Sequence, residues 1–432
     1  MSSGPDLGAT IELDVGRVAH GGHCVARHEG RVVLVRHALP GEKVRARVTA
    51  GGPGDRFWRA DAVEVLVPSP DRVRPPCPYA GPDRCGGCDW QHATPAAQRR
   101  LKAAVVTEQM RRLAGVDVAP VVEELPGAPD GSGWRTRVTF SVDGDGRAGF
   151  RQHRSHDVVP VRRCLIAHPD VTAVDVPGHR WPGVDAVEVV ASSAGERAVV
   201  VRTAQAPPDR RTRVPRLAPD VSVLIGTGGD RPERVRGRTR VHEELHGRSF
   251  QVSAGGFWQV HPAAADTLVR AVLAVLRPGE GECAVDLYSG VGLFAAALAG
   301  CVGPDGRVLA VEADGRAAAD ARRNLHDLPQ VRLVHGRVDR ALAGLDPRRA
   351  DLVVLDPPRT GAGRRVVEQV AALSPRAVAY VACDPAALAR DVGTFAELGL
   401  RLASLRAFDL FPMTHHVECV ALLTPPPPGE VS

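Results

Sequence analysis

The most constraining stretch of this chain is Cys283-Ala-Val-Asp286-Leu-Tyr288-Ser-Gly290-Val-Gly292-Leu-Phe294. A short apolar run passes through glycines into an alanine-rich segment, which reads as buried strand, tight turn and helix. Three more apolar runs follow: Gly306-Arg-Val-Leu-Ala-Val311 ending in Glu312, Asp351-Leu-Val-Val-Leu355 ending in Asp356-Pro-Pro-Arg359, and Ala377-Val-Ala-Tyr-Val-Ala382 ending in Cys383-Asp-Pro385. Strands that alternate with helices form a parallel sheet covered on both faces. Ligands of such sheets sit at the carboxyl ends of the strands. Residues 253–424 therefore predict an α/β Rossmann-like domain with its site along one sheet edge.

The residues at that edge suggest a chemistry. Gly290 and Gly292 let a ligand approach the backbone at a helix N-terminus. Glu312, at the end of the second strand, is placed to hold ribose hydroxyls. A dinucleotide site would use a third glycine, which is missing here; Asp286-x-x-x-Gly290-x-Gly292 with Glu312 instead resembles the S-adenosylmethionine site of class I methyltransferases. The two prolines after Asp356 fix its backbone and leave no N–H to satisfy. A lone cysteine is usually a small buried hydrophobe, but Cys383 stands at a strand end in the catalytic row, where a nucleophile belongs. Glu418 enters a final apolar strand, a costly position for a carboxylate without a role or partner.

At 432 residues the chain is long enough for two or three domains. Residues 5–68 read as about five short strands separated by Gly21-Gly22, Gly30 and Pro40-Gly41, the pattern of an OB-like β-barrel. Prolines 68, 70, 75 and 76 mark a linker. Residues 75–252 read as a central α+β domain. It opens on cysteines, continues with a helix at 95–114 expected to pack on the catalytic domain, and returns to strands from Trp134. Arginine-rich loops separate those strands, at Arg210-Arg211-Thr-Arg213 and at 231–240. Residues 425–432, mostly proline, are expected to be a disordered tail.

Cys77-x7-Cys85-Gly-Gly-Cys88, with Cys164 far downstream, has spacing that suits either zinc or an iron–sulfur cluster. Cys24, Cys283, Cys301 and Cys419 read as packing residues. The net charge is +5 and almost wholly arginine, with lysine only at positions 43 and 102. Arginine forks match phosphate oxygens, though a compositional bias explains the excess equally well. The N-terminus has no signal-peptide pattern and the longest apolar run, 293–299, is seven residues. Both features predict a cytoplasmic protein that avoids membranes.

Phe257-Trp-Gln259, Asp286-Leu-Tyr-Ser-Gly290, Asp356-Pro-Pro-Arg359, Cys383-Asp-Pro385 and Asp409-Leu-Phe-Pro412 followed by His416-Val-Glu418 occur in that order. The set closely resembles the RNA uracil-5 methyltransferase family, and the resemblance extends to a TRAM-like barrel and the four cysteines. It implies S-adenosylmethionine held by Gln259, Tyr288, Glu312 and Asp356, with Cys383 as nucleophile and Glu418 as base. It also favours a [4Fe–4S] cluster over zinc on Cys77, Cys85, Cys88 and Cys164. The implied partner is tRNA or rRNA, bound by a monomer that flips the target base out. Candidate RNA contacts are Arg135, Arg137 and Phe140, with Arg151 and Arg154. Two positions depart from the family pattern: His261 replaces an expected asparagine and Leu293 an often polar residue. The alternatives are an RNA cytosine-5 methyltransferase, which uses the same adduct chemistry, and a non-catalytic RNA-binding protein on the same fold.

Overall fold

The computed structural model describes residues 7–52, 54–204, 214–227, 232–344 and 349–427. The arginines at 210, 211, 213 and 231 and the tail beyond 427 lie outside the described residues. Alternating burial along Thr10–Val18 and Lys43–Ala50 curls the first strands inward, because every second side chain must find an apolar partner. Five strands close into a barrel, with Cys24–His28, Arg31–Arg36 and Phe57–Val67 completing the set. Leu13, Val33, Val35, Val44 and Trp58 fill its interior.

The C-terminal sheet has eight strands. Val331–His335, Arg307–Glu312, Cys283–Leu287, Leu352–Leu355 and Ala377–Ala382 are parallel neighbours in that order. Glu418–Thr424 then runs antiparallel between Ala377–Ala382 and Arg401–Asp409. The central strands are buried on both faces, as their unbroken apolar runs require. Leu352 and Val354 face one core with helices Ala264–Leu276 and Leu293–Val302. Val353 and Leu355 face the other with Arg364–Ala372 and Pro385–Glu397.

The eighth strand comes from outside this region. Val122–Glu124 pairs in parallel with Arg401–Asp409 at the sheet edge. The helix Pro95–Gln109, with the π-helical turn Met110–Ala114 that extends it, leads there. It lies between two bodies: Ala97 and Val105 join the barrel core, and Val106 and Met110 join the second sheet face. Lys102 is fully buried and donates to Asp409 at 2.5 Å and to the Phe411 carbonyl at 3.0 Å.

In sequence, between barrel and C-terminal sheet, comes a seven-stranded sheet built from strands between Arg137 and Arg236, with a separate hairpin of Arg240–Leu245 and Arg248–Ser253. Part of the stretch at 231–240, expected as loop, is therefore strand: Glu233–Arg236 pairs with Val221–Thr227. Among the described residues, no helix is long and apolar enough to cross a membrane.

Candidate active site and cysteine cavity

Strand register assembles the site. Ala382 pairs with Cys419, so Cys383 and Glu418 fall on the next rung of the same antiparallel ladder. Leu287 pairs with both Val311 and Leu355, which sets Tyr288 between Glu312 and Asp356 at the carboxyl edge. Gln259 comes from a different element, the turn after Arg248–Ser253. That turn is fixed by Trp258, packed on Phe250, and by Thr136, which donates to the Val260 carbonyl.

The edge carries more charge than it pairs. Asp286 is fully buried; its Oδ2 accepts from the Ala295 amide at 2.8 Å, while Oδ1 has no partner. Burial pushes its carboxyl up to about 8. Glu312 accepts from the Gly290 amide at 2.8 Å and the Asp314 amide at 2.6 Å, which locks it in place. Tyr288 holds a left-handed backbone at φ 64°, and burial pushes its hydroxyl up to about 12. Gly290 is also left-handed, with open space where a Cβ would stand. The two departures are both apolar in effect: Leu293 is buried at the helix start, and His261 stacks on Trp134 with its ring held near 4 by burial.

Burial first and then Glu418 raise the Cys383 thiol to about 12, against the opposing Arg359 guanidinium. Burial also raises Glu418 well above the carboxylate range, with Asp356 adding and Arg359 opposing. Asp356 itself rises to about 7 through burial. One exposed arginine thus serves a thiol and a carboxyl together. The sequence pattern points to no role for Arg359, although it closes the Asp-Pro-Pro-Arg motif, nor to one for Asp286 beyond its motif position.

Cys77, Cys85, Cys88 and Cys164 line one cavity of about 130 Å³ that Tyr79, Gln91, Arg135 and Phe150 also line. Gly86 is required there, since a Cβ would stand 2.6 Å from the His153 nitrogen. Burial, with the neighbouring cysteines adding to it, raises the thiols of Cys85, to about 11, of Cys88 and of Cys164. Among the described residues, no three His, Cys, Asp or Glu side chains are arranged to hold a metal ion. A small apolar cluster of Trp134, Ile166 and Met413 joins Cys88 and Cys164 to the loop at 411–413.

Two candidate RNA contacts are corrected. Arg137 is buried, donating to the Gly256 carbonyl at 2.7 Å and pairing with Glu243 at 3.5 Å. Phe140 lies in the core of the seven-stranded sheet against Phe150. Three residues apart on one strand, they point to opposite faces, and both faces are covered. Arg135 runs beside the cysteine cavity, whereas Arg151 and Arg154 are exposed.

Residues 6–60 match the TRAM domain model and residues 235–425 the tRNA (Uracil-5-)-methyltransferase model. A Streptomyces avermitilis protein named an uncharacterized RNA methyltransferase is 51% identical over 98% of this chain and 100% of its own length. The chain belongs to the RNA uracil-5 methyltransferase family. A Bifidobacterium longum RNA methyltransferase is 38% identical over 96% of both chains. The Pyrococcus abyssi tRNA (uracil-54, C5)-methyltransferase in complex with S-adenosyl-L-homocysteine shares the fold, with a TM-score of 0.70 over 95% of this chain and 100% of that one at 23% identity.

Proposed function

We propose that this enzyme transfers a methyl group from S-adenosylmethionine to carbon 5 of a uridine in transfer or ribosomal RNA, through a covalent adduct with Cys383. The observation that carries the reading is the pairing register that sets Cys383 beside Glu418, with Asp356 and Arg359 acting on both.

The residues present suit the cofactor. The orphaned Asp286 Oδ1, the open space at Gly290 and the fixed Glu312 carboxylate come together where the strands end. Gln259, Tyr288, Glu312 and Asp356 would hold S-adenosylmethionine, which when bound supplies the electrophilic methyl that carbon 5 takes up. Class I topology, with its antiparallel strand Glu418–Thr424, agrees with this use. The four thiols that line one cavity supply the sulfur donors an iron–sulfur cluster takes. Cys77, Cys85, Cys88 and Cys164 would hold a [4Fe–4S] cluster, whose positive iron would offset thiolates that burial otherwise disfavours.

Carbon 5 of uracil is a weak nucleophile. The Cys383 thiolate adds at carbon 6, and the ring becomes an enolate with negative charge at carbon 5. After carbon 5 is methylated, Glu418 removes its remaining proton and the Cys383–carbon 6 bond breaks, returning the thiolate. Once ionised, a carboxylate of raised proton affinity is the stronger base for that step. Arg359 favours the thiolate that begins it.

The test is transfer of labelled methyl from S-adenosylmethionine into transfer and ribosomal RNA from a deletion strain, with the modified nucleoside identified. Label appearing as 5-methyluridine with the wild type and absent with Cys383→Ala supports the reading. Label in 5-methylcytidine, or in no fraction, overturns it.

A further inference from the structure

The barrel reaches the catalytic edge through one turn. Ala19 donates to the His23 carbonyl at 2.7 Å and closes the turn between the first two strands, where Gly21 and Gly22 are both left-handed. At its tip, His20 Nε2 lies 3.0 Å from Asp384 Oδ2, a contact across 364 residues. The other carboxylate oxygen of Asp384 accepts from the Ala387 amide at 2.8 Å and caps the helix that follows Cys383. Two residues further along the turn, Gly22 faces the second catalytic segment. A Cβ there would stand 2.9 Å from the His415 Cβ, so only glycine fits. The Gly22 carbonyl accepts from Trp90 Nε1 at 3.1 Å. His415 is in turn held by Asp89, through its amide at 3.0 Å and its ring at 2.6 Å. One barrel turn therefore touches both the residue after the nucleophile and the loop that leads to Glu418.

We infer that His20 is a positioning residue: it clamps the barrel turn onto Asp384 and so sets where Cys383 stands relative to Glu418 and to RNA gripped by the barrel. The inference rests on the proposed methyl transfer for its catalytic consequence, but the clamp itself is a property of the free protein. His20 and Asp384 are 39% and 23% exposed, so the bond sits at the rim of the site, where it ties two bodies without being needed for either core. A simple RNA contact on the barrel would have no reason to bond the helix cap beside the nucleophile.

The experiment compares full-length wild type, His20→Ala, His20→Asn and Gly22→Ala. It reads kcat and KM for RNA methylation, and the rate at which iodoacetamide alkylates Cys383, followed by peptide mass spectrometry. With His20→Ala, kcat should fall roughly 10- to 100-fold, as misplacement of reacting groups does, with KM within about twofold of wild type. The Cys383 alkylation rate should change by about threefold or more, and His20→Asn, which keeps a donor toward Asp384, should restore both readouts in large part. Gly22→Ala drives a methyl group into His415 and should reproduce the loss; it also decides the matter if His20→Ala does not fold. Unchanged kcat and alkylation in both variants overturn the clamp, and so does a rise in KM alone, which would mark His20 as an RNA contact. If the wild type methylates no RNA, the proposed reaction fails, while the alkylation rates still decide whether the clamp exists.

Discussion

Cys383 and the four cysteines of the cavity are all partly buried free thiols, yet they sit in opposite company. Cys383 faces three carboxyls, Glu418, Asp356 and Asp384, and one arginine. Cys85, Cys88 and Cys164 face mainly one another, with Arg135 opposing at Cys164. A single thiol with one cation at hand can become a thiolate briefly, when a substrate ring is there to accept it. Several thiols crowded together stay ionised only beside a lasting positive charge. The first arrangement suits turnover and the second suits a permanent occupant.

Substitutions can separate the two. Cys383→Ala should cost about a thousandfold or more in methyl transfer, because the adduct cannot form. Iron content and melting midpoint should stay at wild-type values, and a fall in either would break the separation. Glu418→Gln should lower turnover by about 10²- to 10⁴-fold. Since only release is blocked, a protein–RNA adduct should accumulate on a denaturing gel; its absence would remove Glu418 from the role of base.

Cys88→Ala should act in reverse. Iron bound per chain should drop and the melting midpoint should fall by about 2–4 °C for each kcal/mol lost, while the alkylation rate of Cys383 stays unchanged. Slowed alkylation would show the two thiol sites to be one coupled unit. The smallest effect is expected from Arg359→Leu. Arg359 opposes the rise of the Cys383 thiol, so its loss moves the thiol further up. Below its pKa the thiolate fraction rises with pH, so alkylation should accelerate with pH in both proteins. The variant should be about three- to tenfold slower at any one pH between 7 and 9, because losing a nearby cation lowers the thiolate fraction by about that factor. Equal rates would mean that Arg359 does not act on the thiol.

The sheet edge was legible because two apolar runs stop at carboxylates that have no place in a core, Glu312 and Asp356, and a third ends at Cys383 in the same row. The barrel was legible from glycines and prolines spaced between β-branched runs. What escaped depends on neighbours far away in sequence. Arg137 and Phe140 read as RNA contacts by residue type, but their strand turns them into an internal ion pair and a core. Val122–Glu124 is three residues long, too short to show a period, and exists as strand only because Arg401–Asp409 is there to pair with it. Asp286 lay inside a recognised motif, yet nothing in the sequence tells that one of its oxygens is left without a donor. His20 stood beside glycines, and its partner is 364 residues away.

The buried bond from Lys102 to Asp409 spans 307 residues and so sets a condition on how the molecule is made. A ribosome adding about 5–20 residues per second needs roughly 15 to 60 seconds between the two. Throughout that interval the ammonium lacks the carboxylate it bonds in the finished fold, and burying it without that partner would cost several kcal/mol. The helix that carries it must therefore wait, hydrated and undocked, and the edge strand behind it waits as well. A chain cut short before Asp409 never receives that partner. Docking of the helix between barrel and catalytic sheet thus reports that the chain has been made at least as far as Asp409.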